Sequence, residues 1–286
     1  MSKQRWPAPA KINLFLHITG RRDNGYHELQ TLFQFLHYSD ELEFSVRDDG
    51  EIHRLTDIPA VPEAQDLVVR AAKLLQKQSG CPQGVDISID KKLPMGGGLG
   101  GGSSDAATTL VAMNHLWGLY LPMDELASLG LQLGADVPVF VHGWAAWAEG
   151  VGEKLTPVEP EEPWYVVVAP GVQVSTAEIF NDFELTRDCA SIKMRDFLEG
   201  RSENVCEPVV SKHYPEVAKA LKWLSQFSPA RMTGTGACIF AGFTTEEAAQ
   251  DVLKKLPSDW QGFVAKGMNS SPLCIRMQRI QSVTGH

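Results

Sequence analysis

One run restricts this chain more than any other: Pro94-Met95-Gly96-Gly97-Gly98-Leu99-Gly100-Gly101-Gly102-Ser103-Ser104. Glycine loses more backbone freedom on ordering than any other residue. Such a run therefore belongs where the main chain must take positive φ, or where another group must approach with no Cβ in the way. Ahead of it Val85, Ile87 and Ile89 alternate in the period of a strand. Behind it Ser103 or Ser104 reads as the cap of a helix continuing to about Gly118. A glycine loop between a strand and a helix aims unpaired N–H groups, and the positive end of the helix dipole, at one place. That is a cradle for a triphosphate, to which Ser103 and Ser104 add hydroxyls for phosphate or its magnesium. A surface linker is the plainer account, but linkers rarely join a strand to a capped helix.

Two other glycine-rich nucleotide sites fit less well. Gly96, Gly98 and Gly101 have the spacing of a dinucleotide-binding turn. Lys91-Lys92-Leu93-Pro94, however, separates them from the strand, where that turn is tight, and no carboxylate closes a second strand about 20 residues on. The lysine that a Walker A loop needs is absent from the segment.

Composition narrows the function classes. A formal charge of −9 over 286 residues disfavours general nucleic-acid binding, which depends on clustered Lys and Arg. Cys81, Cys189, Cys206, Cys238 and Cys274 are scattered and never spaced C-x-x-C, against both a disulfide framework and a cysteine zinc site. No apolar run is long enough to span a bilayer. Met1-Ser2-Lys3-Gln4-Arg5-Trp6-Pro7 is not followed by the apolar stretch of a leader. The expectation is a cytoplasmic protein with neither membrane nor nucleic acid as partner.

Ile12, Leu14, Leu16 and Ile18 alternate with Lys11, Asn13, Phe15 and His17, which predicts a strand whose apolar face lies opposite Lys11 and Asn13. A loop through Asn24-Gly25 leads to a second strand from Tyr26 to Leu36, and a third runs from Glu41 to Arg47, so the chain opens antiparallel. Asp66 reads as the N-cap of a helix ending at Gly80, and Pro122-Met123-Asp124-Glu125 opens another that stops at Gly134. A strand from Tyr165 to Ala169 is followed by a capping box at Ser175-Thr176-Ala177-Glu178. Helices start at about Ser191 and run from Pro215 to Phe227. A strand from Cys238 to Phe243, a second capping box at Thr244-Thr245-Glu246-Glu247 and a strand from Gly262 to Lys266 complete the pattern. The acidic, proline-rich Glu159-Pro160-Glu161-Glu162-Pro163 marks a boundary between residues 1–160 and 161–286. The expected class is two-domain α+β.

The run from Pro94 to Ala107 resembles the second motif of the GHMP kinases. Pro9-Ala10-Lys11-Ile12-Asn13-Leu14 and Met232-Thr233-Gly234-Thr235-Gly236-Ala237-Cys238 resemble flanking motifs of the same superfamily, in the right order and covering nearly the whole chain. The resemblance implies the GHMP kinase fold, a ribosomal protein S5 domain 2-like N-terminal domain and a ferredoxin-like C-terminal domain. It implies ATP-dependent phosphorylation of a small alcohol, with Mg2+ accompanying ATP, by a monomer or weak homodimer. Pro94 through Ser104 would then hold the nucleotide, with Lys91 assisting and Asp66 near the adenine. No magnesium ligand is identified, because the acidic partner used elsewhere in the superfamily has no counterpart here.

In Gly134-Ala135-Asp136-Val137-Pro138, Asp136 taken alone reads as the N-cap of a short helix with Pro138 in its first turn. Lys11 taken alone reads as an edge-strand lysine that discourages aggregation. The segment is similar, however, to the G-A-D-V-P motif of the diphosphocytidyl-methylerythritol kinase branch, whose Asp is the proposed general base. That resemblance puts Lys11 beside Asp136 and the accepting hydroxyl, where an ammonium keeps the acid ionised.

Gly25-Tyr26-His27-Glu28-Leu29-Gln30-Thr31-Leu32-Phe33 resembles the G-Y-H-x-L-x-T-L-F element of the same branch. It implies a cytidine diphosphate-linked polyol as substrate, with Tyr26 and His27 against the cytosine and Phe180 stacked on the other side. Thr176 would lie near the same end and Asn13 beside Lys11. The implied reaction moves the ATP γ-phosphoryl to the 2-hydroxyl of the methylerythritol moiety, in the non-mevalonate route to isoprenoid precursors. Without the resemblance, Tyr26 and Phe180 read as ordinary core aromatics. Two positions depart from the pattern: Asp66 stands where the branch more often has Asn, and Ala237-Cys238 where other branches place serines. The rival readings are a non-catalytic nucleotide-binding module, a dinucleotide-dependent oxidoreductase and a GHMP kinase for galactose, mevalonate or homoserine.

Overall fold

The computed structural model describes residues 5–23, 25–59 and 61–284. Met1 to Gln4, part of the leader reading, and Asn24 of the Asn24-Gly25 turn lie outside the described residues. The chain opens with β1 (Arg5–Arg21) and β2 (His27–Arg47), one long antiparallel ladder from Arg5 opposite Glu43 to Arg21 opposite His27. The expected second and third strands are thus a single strand. The apolar pattern breaks at Asp40, but that side chain is buried and bonded by Lys91 and by the N–H groups of Lys92 and Leu93, so the backbone stays extended.

Next come β3 (Ile52–Arg54), α1 (Leu67–Ser79), β4 (Gly84–Asp90), α2 (Gly101–Leu116), α3 (Met123–Leu131), α4 (Val137–His142), β5 (Ala146–Gly150) and β6 (Lys154–Pro157). Residues 159–163 belong to no regular element. The rest of the chain forms β7 (Trp164–Ala169), α5 (Thr176–Asn181), α6 (Met194–Leu198), α7 (Glu207–His213), α8 (Pro215–Leu224), β8 (Ala230–Met232), β9 (Ile239–Phe243), α9 (Glu246–Leu253), β10 (Gln261–Met268) and α10 (Pro272–Thr284). The sheet order is β3-β4-β2-β10-β7-β9-β8, with β1 and β5 also paired to β2. β2 is long enough to serve β5, β10 and β4 in succession along its length. The fold is mixed α/β.

Trp6, Phe35, Leu42 and Ile87 pack with the apolar sides of α1 to α4 in one core, and Phe35 meets Phe140 edge-on at 5.7 Å. Each fully buried side chain of this size contributes about 1.5–3 kcal/mol. α2 is buried without a break from Ser104 to Met113, as expected of a helix enclosed on all sides. A separate core joins Val166, Val168 and Ile239 to α8 and α9.

Local signals hold at α1, where Asp66 accepts from the Val68 N–H and Gly80 at φ 67° ends the helix. They shift elsewhere. α2 starts at Gly101, ahead of either serine, because Gly100 at φ 74° turns the chain directly into the helix. Thr245 rather than Thr244 caps α9 through the Ala248 N–H, so the second capping box is not formed. The helix expected from Ser191 shrinks to α6, and that from Pro215 ends at Leu224. α7 and α10 go beyond the elements expected from sequence; α10 sets Leu273, Met277 and Ile280, one turn apart, against the first core. Lys11 and Asn13 are as buried as the apolar face opposite them, since register shifts flank them and the Lys11 N–H bonds to Leu99 O of the glycine loop. The edge-lysine account therefore fails. Among the described residues, no helix is long and apolar enough to cross a membrane.

Candidate active site

A cavity of about 900 Å³ opens where the N-terminus of α2 faces β1 and α5. Lys11, Asn13, Tyr26, His27, Asp66, Lys91, Pro94 through Ser103, Asp136, Thr176 and Phe180 all line it. Of the expected site residues only Ser104 does not. Its hydroxyl is buried in α2 without a hydrogen-bond partner.

The glycines divide into two sets. A Cβ on Gly97 would meet Cys238 Sγ at 2.5 Å, on Gly98 the Thr233 carbonyl oxygen at 2.2 Å, and on Gly100 the Phe140 ring at 2.7 Å. These three are demanded by packing against the chain itself. On Gly101 and Gly102 the nearest atoms would lie 3.4 and 3.5 Å away, so their open side is the cavity. α2 has no side-chain cap, which leaves its first N–H groups facing that space. The loop is pinned from behind: Ala237 N–H donates to Gly96 O, Cys238 N–H to Gly97 O, and the Thr233 hydroxyl to Gly98 O. Ala237 and Cys238 thus hold the loop through their backbone, while the Cys238 sulfur packs behind Gly97.

Across the loop, Lys11 Nζ donates to Asn13 Oδ1 at 2.6 Å and Gly98 O at 3.0 Å, and lies 3.5 Å from Asp136 Oδ2. Asn13 is held in turn, its amide donating to Thr31 and its N–H to the Thr233 hydroxyl. Asp136 occupies the N-cap position of α4 but its side chain makes no capping bond. The carboxylate instead faces the lysine and the cavity.

Two further charged residues behave differently from the sequence expectation. Lys91 is spanned by Asp40 at 2.5 Å and Asp105 at 2.8 Å. Burial pulls its pKa down, but the Asp105 and Asp40 carboxylates win and leave it raised. Asp105 is pushed up to about 7 by burial, against the pull of Lys91. Asp66 uses both oxygens, one on the Val68 N–H and one on Arg54 Nη1 at 2.5 Å, so it enters the cavity wall as a neutralised pair.

At the far end His27 and Phe180 stack on each other, ring centroids 5.1 Å apart at 22°. A base placed between these two would require them to part, while the exposed Tyr26 ring stands nearby in the wall. Thr176 shares a hydrogen bond of 2.8 Å with Thr235. Burial, then the charges of Arg187 and Arg21, hold His27 below its ordinary pKa.

The arrangement can hold a nucleotide by its phosphates beside an acid and an ammonium, with an aromatic subsite beyond. The chain as a whole is similar to known proteins. Residues 66–144 match the GHMP kinases N terminal domain and residues 178–262 the GHMP kinases C terminal domain. The 4-diphosphocytidyl-2-C-methyl-D-erythritol kinase of Nitrosococcus oceani is 63% identical over 94% of this chain and 96% of its own. The chain belongs to the 4-diphosphocytidyl-2-C-methyl-D-erythritol kinase family of the GHMP kinases. A solved 4-(cytidine 5'-diphospho)-2C-methyl-D-erythritol kinase superposes with a TM-score of 0.80 at 30% identity, covering 92% of this chain and 99% of that one. A homoserine kinase from Cytophaga hutchinsonii, at TM-score 0.71 and 17% identity over 94% and 95% of the two chains, shares the fold alone.

For this member of the family, sequence reasoning missed Asp40, Arg54, Thr233, Thr235 and Arg187. Thr233 and Thr235 sit inside the Met232 to Cys238 motif, and their hydroxyls beside paired glycines were a usable signal. Asp40, Arg54 and Arg187 carry no local pattern.

Proposed function

We propose that the chain transfers the γ-phosphoryl group of ATP to the 2-hydroxyl of 4-diphosphocytidyl-2-C-methyl-D-erythritol, giving the 2-phosphate and ADP, in the non-mevalonate route to isoprenoid precursors. One observation carries this reading: a single cavity joins the open N-terminus of α2, the Lys11 and Asp136 pair, and the Tyr26, His27 and Phe180 cluster. On this reading residues 1–160 form the nucleotide-binding domain, and residues 161–286 bring Thr176 and Phe180 to the substrate. On the same reading the enzyme works in the cytoplasm as a monomer or weak homodimer.

The residues present fit ATP, with the N–H groups of Gly101, Gly102 and Ser103 free for phosphate oxygens. Among the described residues no group of three or more His, Cys, Asp or Glu is placed to hold a metal. Magnesium would accompany the nucleotide, and Ser103 in the cavity wall is the hydroxyl residue that would face it. When bound, the ion neutralises charge on the β- and γ-phosphates.

Phosphoryl transfer asks mainly for position and charge. The 2-hydroxyl oxygen bonds to the γ-phosphorus as the bond to the bridging oxygen breaks. The hydroxyl proton passes to Asp136, and ADP leaves. Lys11 offers its charge both to Asp136 and to the oxygen on which charge develops, and Asn13 holds that ammonium in place.

The test is coupled ADP release with MgATP and, in turn, the cytidine compound, mevalonate, homoserine and galactose. Selective turnover of the cytidine compound is the expected result. Turnover of another alcohol alone overturns the acceptor, and ATP binding without any turnover overturns the enzyme.

A further inference from the structure

Arg187 sits behind the wall of the aromatic subsite and holds both of its inner members. Its Nε donates to His27 Nε2 at 3.2 Å. Its Nη2 donates to the carbonyls of Phe180, at 2.9 Å, and Asp182, and its Nη1 to Leu185 O at 3.1 Å. One guanidinium therefore closes the C-terminal end of α5, where Phe180 stacks on His27, and fixes the imidazole by its edge.

The bond to His27 has a chemical consequence. Arginine has no acceptor and does not lose its proton, so His27 Nε2 must present a lone pair. The imidazole is then neutral, with its proton on Nδ1. We infer that Arg187 is a positioning residue for base recognition: it fixes His27 as the Nδ1–H tautomer, so that the subsite offers a hydrogen-bond donor to the edge of the base. The inference rests on the cytidine-linked substrate proposed above. Cytosine N3 is an acceptor and matches that donor, whereas uracil carries N3–H and sets donor against donor. Discrimination between the two bases thus depends on a residue that need touch neither. Burial of His27 and the nearby charges of Arg187 and Arg21 favour the same neutral ring. A lysine at 187 lacks the fork that reaches the ring and three carbonyls together.

A residue that merely tied down the loop would leave the tautomer and the base preference alone, and this separates the two accounts. In full-length enzyme carrying 15N-labelled histidine, with His27 assigned by loss of its signals in His27→Gln, long-range 1H–15N correlation reads which nitrogen is protonated. Protonated Nδ1 with bare Nε2 is expected in the wild type, and the reverse overturns the inference. In Arg187→Met the tautomer bias is expected to vanish. The preference in kcat/KM for the cytidine over the uridine diphosphate-linked substrate should fall about tenfold or more, with KM for ATP unmoved and no rescue in Arg187→Lys. An unchanged base preference in folded Arg187→Met also overturns it, and if that variant does not fold, the wild-type tautomer decides. Failure of the wild type to turn over the cytidine compound would count against the proposed reaction, while the tautomer would still be read directly.

Discussion

Lys11 Nζ lies 3.5 Å from Asp136 Oδ2 while also donating to Asn13 Oδ1 and to Gly98 O. The lysine is buried and the aspartate borders the cavity, so one ammonium joins the first motif, the glycine loop and the candidate base. Asp136 makes no capping bond to α4, so holding that helix does not account for its placement. Asp136→Asn should therefore keep the fold and KM for ATP, with at most a modest drop in melting temperature from the lost charge beside Lys11, while kcat falls about 10²–10⁴-fold. ADP-release kinetics beside a thermal melt check this, and near-normal kcat in the folded variant removes Asp136 from the mechanism.

The two sets of glycines should respond differently to a methyl group. Gly98→Ala forces a Cβ to within 2.2 Å of Thr233 O at φ 74° and should cost about 3 kcal/mol or more. Gly102→Ala sits in a helix with its nearest neighbour at 3.5 Å. It should leave stability unchanged or raised by about 0.5–1 kcal/mol, yet increase KM for ATP. Urea denaturation and ATP kinetics on both variants suffice, and equal stability losses would mean that Gly102 faces protein rather than ligand.

Arg54 and Asp66 form a nearly buried pair, with side chains 5% and 10% exposed. Asp66→Asn keeps an N-cap for α1 but strands the guanidinium, for a loss of about 3 kcal/mol or more. Asp66→Ala should lose about 1 kcal/mol beyond that through the missing cap. A neutral or stabilising Asp66→Asn in chemical denaturation would show that Arg54 does not depend on this partner.

His27 is held below its ordinary value of 6.5 by burial first, then by Arg187 and Arg21. The unfolded chain binds a proton on this ring at a higher pH than the folded one. The contribution of His27 to stability is thus present above pH 6.5 and lost as pH falls through the lowered value. For the same reason KM for the cytidine substrate should stay flat from about pH 8 to about 6.5 and rise only below it, with KM for ATP not following. A rise centred above 6.5 would contradict the neutral ring.

Much of this site was legible because its signals are local. The glycine run, the Asp66 cap and the alternation of Ile12 to Ile18 each depend on neighbours within a few residues, and periodicity, caps and turns report such neighbours directly. The three motifs also sufficed to name the family. Element ends drifted where a stronger local geometry competed, as at Gly100 ahead of Ser103 and Thr245 after Thr244.

The sequence by itself determined which residues could carry phosphate, proton and base, since glycine content, charge and aromaticity are properties of the residues themselves. Only the tertiary structure decided how their charges are matched. Asp40 reaches Lys91, Arg54 reaches Asp66 and Arg187 reaches His27 across turns, helices and most of the chain. It also decided that Lys11 is buried, because that depends on the glycine loop folding back over β1. A buried charge must find its partner in space, and no period along the chain records where that partner will be.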